Sequence, residues 1–132
     1  MELTNQTKDM LHWFTNYSRI QMGIDYPILL YYAWEEIEHF NYPIPDKRHY
    51  NKLLGWSDKI NGNNVLLVNV RMHQSFNTVL RTVIHELMHF KFPNENDESR
   101  IEIFTTRWLE TKHTDFGFFY DEKFFEEWNL QI

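Results

Sequence analysis

Two histidines and a glutamate stand together in the run His85-Glu86-Leu87-Met88-His89. In an α-helix, residues four apart lie one turn above each other, so imidazoles at 85 and 89 can bind one metal ion from one rigid surface. Glu86 projects beside them, where a carboxylate can hold and deprotonate a water at the metal. Val79, Leu80, Val83, Ile84, Leu87 and Met88 are apolar. The segment therefore reads as a largely buried helix in which two histidines need polar partners. The bland alternative is a helix with two hydrogen-bonded core histidines. The strong strand ahead of it and the apolar pattern around it favour the metal.

A zinc ion that keeps a position open for water needs a third protein ligand. Glu98 begins the next helix, and Glu102 lies one turn further on the same face. The turn Pro93–Asp97 folds that helix back beside the histidines. A ligand carboxylate followed by one that orients a ligating histidine is a sensible pair. His113, 24 residues after His89, is the second candidate. Glu95, ten residues after His85, is the third, with no glycine to make the tight turn it would need. Glu98 is taken as the ligand and Glu102 as its support. The ordinary alternative is a pair of helix N-terminal acids favoured by the macrodipole. His12, His39, His49 and His73 have no partner at ligand spacing and read as surface or core residues. Tyr120 could stabilise an oxyanion, although no spacing singles it out.

These residues need elements to hold them. Thr4 to Gln21 reads as a first helix with Met10, Leu11, Phe14, Tyr17 and Ser18 on one side, ended by Gly23 and Tyr26-Pro27. Pro27 then opens a second helix to about Phe40. Residues 28–32 could instead be a strand, but Glu35-Glu36-Ile37-Glu38 favours helix. Asn41-Tyr42-Pro43-Ile44-Pro45 is extended, and residues from His49 to Trp56 suit a short strand or loop. A turn at Asn61-Gly62-Asn63-Asn64 precedes Val65–Val70, the clearest strand. Ser75 caps a helix over 76–90, and Asp97 caps another over 98–111. After Gly117 a short helix is expected over Asp121–Asn129. The expected fold class is α+β. It is a single domain over 1–132 with N-terminal helices, a small sheet with edge strand 65–70, and the two helices that carry the site.

Composition narrows the choice. The 132 residues are 42% apolar and 24% charged, too apolar for a disordered chain and too broken by charge for a membrane span. The absence of cysteine removes disulfides, thiolate zinc sites and cysteine nucleophiles together. Residues 1–91 balance nine Lys/Arg against nine Asp/Glu, and residues 92–132 carry the whole net charge of -6. An acidic chain without a basic stripe is a poor partner for a phosphate backbone. The first residues show no basic segment followed by an apolar run, so a cytoplasmic location is expected, with no membrane partner.

The runs Val65–Val70 and Leu80–His89 resemble the core of the small intracellular zincin metallopeptidases: the ImmA/IrrE-like and SprT-like peptidases and the minimal gluzincins. The order of helix, Pro-rich extended segment, Gly55-Trp56, strand and metal helix extends that resemblance over about residues 28–105. Glu98-Ser99-Arg100-Ile101-Glu102-Ile103-Phe104 is similar to the gluzincin pattern of a ligand Glu with a carboxylate or amide four residues on. The resemblance implies a zincin-like fold, His85, His89 and Glu98 as ligands of one zinc ion per chain, and Glu86 as general base.

The expected function is a zinc-dependent metalloendopeptidase acting on a protein or peptide substrate, a single regulatory protein being one form this could take. Strand Val65–Val70 would lend its edge to an extended substrate. The alternative is a non-catalytic zincin-like scaffold that docks a partner through the acidic, aromatic C-terminal third. A weaker one is a purely structural metal, although such sites usually close with four protein ligands.

Overall fold

A computed structural model of the chain describes residues 3–40 and 53–112. Along the chain come α1 (Asn5–Gln21), β1 (Leu29–Tyr31), a 3-10 helix (Trp34–Phe40), β2 (Gly55–Ile60), β3 (Asn63–Val68), a 3-10 turn (Val70–Met72), α2 (Phe76–Lys91) and α3 (Glu98–Lys112). Among the described residues the class is α+β: three α-helices and a mixed three-stranded sheet. The Asn41–Pro45 segment, His49 and the helix expected over Asp121–Asn129 lie outside the described residues.

Each helix starts where a short polar side chain can accept a backbone N–H. Thr4 Oγ1 receives Thr7 N at 3.2 Å and Ser75 Oγ receives Thr78 N at 3.4 Å. Asp97 Oδ1 receives Ser99 N at 2.9 Å. The apolar face read for α1 is the one it buries: Leu11, Phe14 and Ser18 are inaccessible, and Met10 and Tyr17 pack at its margin. After α1 the chain turns at Gly23, whose φ of +83° suits a residue without a side chain.

The helix expected over 27–40 does not form. Leu29, Leu30 and Tyr31 pair in parallel with Val65, Leu66 and Leu67, which makes them the strand that their composition also allowed. The acidic run serves differently from the expectation. Glu36 Oε1 accepts Tyr32 N at 2.9 Å and so ties a 3-10 helix over Trp34–Phe40 back to the residue that follows β1.

The edge position expected for strand 65–70 is also corrected. The strand order is β1-β3-β2, so β3 is central, parallel to β1 and antiparallel to β2. Its apolar run explains why. Leu66 and Val68 pack on the α1 and α2 side, while Val65 and Leu67 pack with Trp34, Ile37 and Ile60 on the opposite face. A strand buried on both faces belongs inside a sheet. Among the described residues, no strand pairs with the outer edge of β2. Asn61 and Gly62, with φ of +50° and +85°, form a two-residue β2–β3 hairpin turn; the turn expected over 61–64 is thus shorter, and the strand expected over 65–70 runs from Asn63 to Val68.

Successive β2 residues point to opposite faces. Trp56 packs against Trp34, with ring centroids 5.6 Å apart. Gly55 and Ser57 face α2 instead. No helix among the described residues is long and apolar enough to cross a membrane.

Candidate metal centre

Helix α2 buries Val79, Leu80, Val83, Ile84 and Leu87 completely, which fixes its rotation about its axis. That rotation leaves His85 and His89 at one flank, with side chains 18% and 24% exposed and ring centroids 5.2 Å apart. The turn between α2 and α3 brings the first residue of α3 across them. Glu98 spans the pair: Oε2 lies 2.8 Å from His85 Nε2 and Oε1 lies 3.0 Å from His89 Nε2. One potential ligand atom from each residue lies within 4.8 Å of the other two.

Two imidazole nitrogens and a carboxylate oxygen suit zinc, and three ligands leave a fourth position open. Metal–ligand bonds of about 2.0–2.2 Å in a tetrahedron set ligand atoms roughly 3.4 Å apart. The present contacts would need to open by roughly half an ångström to admit the ion. The residues therefore fit the metal, and the cluster could hold one.

Glu102 stands where a supporting carboxylate should. Its Oε1 is 2.6 Å from His85 Nδ1, so it fixes that ring with Nε2 turned to Glu98. Arg81 Nη2 donates to Glu102 Oε2 at 2.7 Å and to Thr106 Oγ1 at 2.6 Å. Desolvation pushes the Glu102 carboxyl up, but hydrogen bonds from Arg81 and His85, with their charges, outweigh it and hold it below the usual carboxylate range.

Glu86 is 6% exposed. Burial pushes its pKa above the ordinary carboxylate value, against the opposing pull of the Ser57 hydrogen bond and the two histidines. Ser57 Oγ donates to Glu86 Oε2 at 2.6 Å. Gly55 makes this approach possible, because a Cβ there would lie 2.5 Å from Thr82 Cγ2 and 3.3 Å from Glu86 Cγ.

An open cleft of about 1190 Å³ lies before these groups. His85, Glu86, His89 and Glu98 line it together with Ser57 of β2, and Tyr26, Phe90 and Pro93 give it an apolar wall. Tyr26 packs edge-on against Phe90, 6.4 Å between centroids, and burial with the nearby Asp25 raises its phenol above the usual value.

The structure thus brings His85, His89 and Glu98 together, with Glu86 and Glu102 beside them. Glu95 lines the same cleft but turns its carboxylate to Asp97 N at 3.1 Å and Arg100 Nε at 3.5 Å. His113 and Tyr120 lie outside the described residues. His73 is a core residue, with Nδ1 2.9 Å from Thr78 Oγ1 and Nε2 3.2 Å from the Leu54 carbonyl. His12 packs edge-on against Tyr32.

Sequence reasoning missed Arg81 and Ser57. Arg81 was legible, since it lies four residues before His85 and so on the same helical flank. Ser57 was not, because its partner lies 29 positions away. Compared with protein-family models, curated proteins and solved structures, the chain matches none.

Proposed function

We propose that this chain is a zinc-dependent metallopeptidase with a zincin-like fold and a gluzincin-type ligand set, hydrolysing a peptide bond in a protein substrate. The observation that carries this is the convergence of His85 Nε2 and His89 Nε2 on one carboxylate, Glu98, with a buried glutamate next in sequence to His85. Two histidines merely filling a core would not share an exposed acid at the mouth of a cleft.

His85, His89 and Glu98 hold the metal, and Glu102 keeps the His85 ring in its ligating tautomer. Bound zinc supplies a Lewis acid that polarises the scissile carbonyl and acidifies water. Glu86 takes a proton from the attacking water and returns one to the leaving amine. Among the described residues the outer edge of β2 is unpaired and β2 lines the cleft, so β2, rather than the central β3, would lend its backbone to an extended substrate.

The test is Glu86→Gln beside wild type, with zinc content and hydrolysis of a quenched-fluorescent peptide library measured on both. The expected result is equal zinc and no turnover in the variant. Turnover retained in Glu86→Gln overturns the general base. Full zinc in a wild type that cleaves nothing turns the reading to the scaffold.

A further inference from the structure

A general base works only if its carboxylate holds one orientation toward the water it deprotonates. Glu86 sits between α2 and β2, and among the described residues the hydrogen bond its carboxylate receives comes from Ser57. On β2, Gly55 permits close contact with α2 at Thr82, and two residues later the short CH2–OH of Ser57 spans the remaining gap. The hydroxyl has one proton to give, and it goes to Oε2; among the described residues none donates to Oε1.

We propose that Ser57 is a positioning residue for Glu86: its hydroxyl anchors Oε2 and thereby presents Oε1 to the reacting water. This rests on Glu86 acting as base beside a metal held by His85, His89 and Glu98. Ser57 touches neither metal nor substrate in this role. Alanine removes the donor. Threonine keeps it, and valine keeps the shape of threonine without the donor.

Acetohydroxamic acid tests this without a known substrate, because it binds zinc as the hydroxamate and must give its O–H proton to a neighbouring acceptor. The measurements are zinc affinity by chelator competition and acetohydroxamate affinity by calorimetry, on the zinc-loaded full chain. Expected for Ser57→Ala is wild-type zinc affinity with acetohydroxamate roughly tenfold weaker, the scale of one hydrogen bond to a charged group. Ser57→Thr should stay within about twofold of wild type and Ser57→Val should follow alanine. A merely structural role would move stability and leave affinity per bound zinc unchanged.

Wild-type acetohydroxamate affinity in Ser57→Ala, with Glu86→Gln impaired, overturns the positioning role and leaves Glu86 as base. Wild-type affinity in Glu86→Gln itself removes the base, and the proposal falls with it. Should the alanine variant not fold, equal affinities of the threonine and valine variants overturn the role.

Discussion

Arg81 and Glu102 join α2 to α3 at the back of the candidate metal centre: Arg81 Nη2 lies 2.7 Å from Glu102 Oε2, and Oε1 of the same carboxylate lies 2.6 Å from His85 Nδ1. The carboxylate is held at one end and holds His85 at the other. Outer partners of this kind typically change metal affinity by about 10–100-fold. Glu102→Gln should therefore weaken zinc about tenfold by chelator competition. Arg81→Gln should weaken it less, since its ion pair is 40% and 48% exposed and water screens it. Unchanged affinity in Glu102→Gln would show that the His85 ring needs no outer partner.

The third ligand can be separated from its rivals by counting metal. Glu98 meets both histidines, whereas Glu95 turns to Asp97 N and Arg100. Wild type should carry about one zinc per chain after dialysis, Glu98→Ala clearly less and Glu95→Ala as much as wild type. Elemental analysis of the three proteins decides it. Full zinc in Glu98→Ala would shift the ligand to Glu95 or His113.

What the sequence made legible was local. The i, i+4 histidines, the caps Ser75 and Asp97, and a turn beginning at Asn61-Gly62 are written in neighbouring residues, and each forms as expected. So does the α2–α3 reversal that returns Glu98 to the histidines, because a short turn leaves little choice. The errors came where partners are distant. Leu29–Tyr31 carries no signal that Val65–Leu67 will pair with it, and the acids after it suit a helix, whereas Glu36 spends its carboxylate on Tyr32 N. The β3 error was avoidable, since four consecutive buried positions, Val65 to Val68, are the pattern of an inner strand. The Ser57–Glu86 bond depends on sheet register and on Gly55, neither of which a linear pattern reveals.

Gly55 should prove indispensable for a steric reason. A Cβ at 55 would meet Thr82 Cγ2 at 2.5 Å and the Leu67 carbonyl oxygen at 3.2 Å. Thr82 is β-branched and stiff within α2, so β2 would have to move. Gly55→Ala should cost about 1–3 kcal/mol in denaturant unfolding. Adding Thr82→Ser deletes the offending methyl and should recover part of that loss, a non-additivity expected of touching residues. If the double variant is as unstable as the sum of the singles, the clash lies with the Leu67 carbonyl instead.

His73 makes the fold sensitive to acid. Together with Asn69, whose Nδ2 donates to the Leu53 carbonyl at 2.8 Å, it grips the chain just before β2. Burial lowers its pKa from the ordinary 6.5, against the opposing effect of the Leu54 carbonyl. A neutral ring can donate Nε2–H to Leu54 O, while the Thr78 hydroxyl can turn its proton from the Ser75 carbonyl to Nδ1. Because the folded pKa is the lower one, the unfolded chain binds the proton first on acidification. The stabilisation is present above the ordinary value of 6.5 and is lost as pH falls from there through the folded value. His73→Gln has no proton to take up at this position. Melting temperatures of metal-free wild type and His73→Gln, measured from pH 7.5 to pH 5, should therefore converge toward the acid end. Parallel curves would mean that His73 titrates alike in the folded and unfolded chain, and that acid loosens the entry to β2 through some other group.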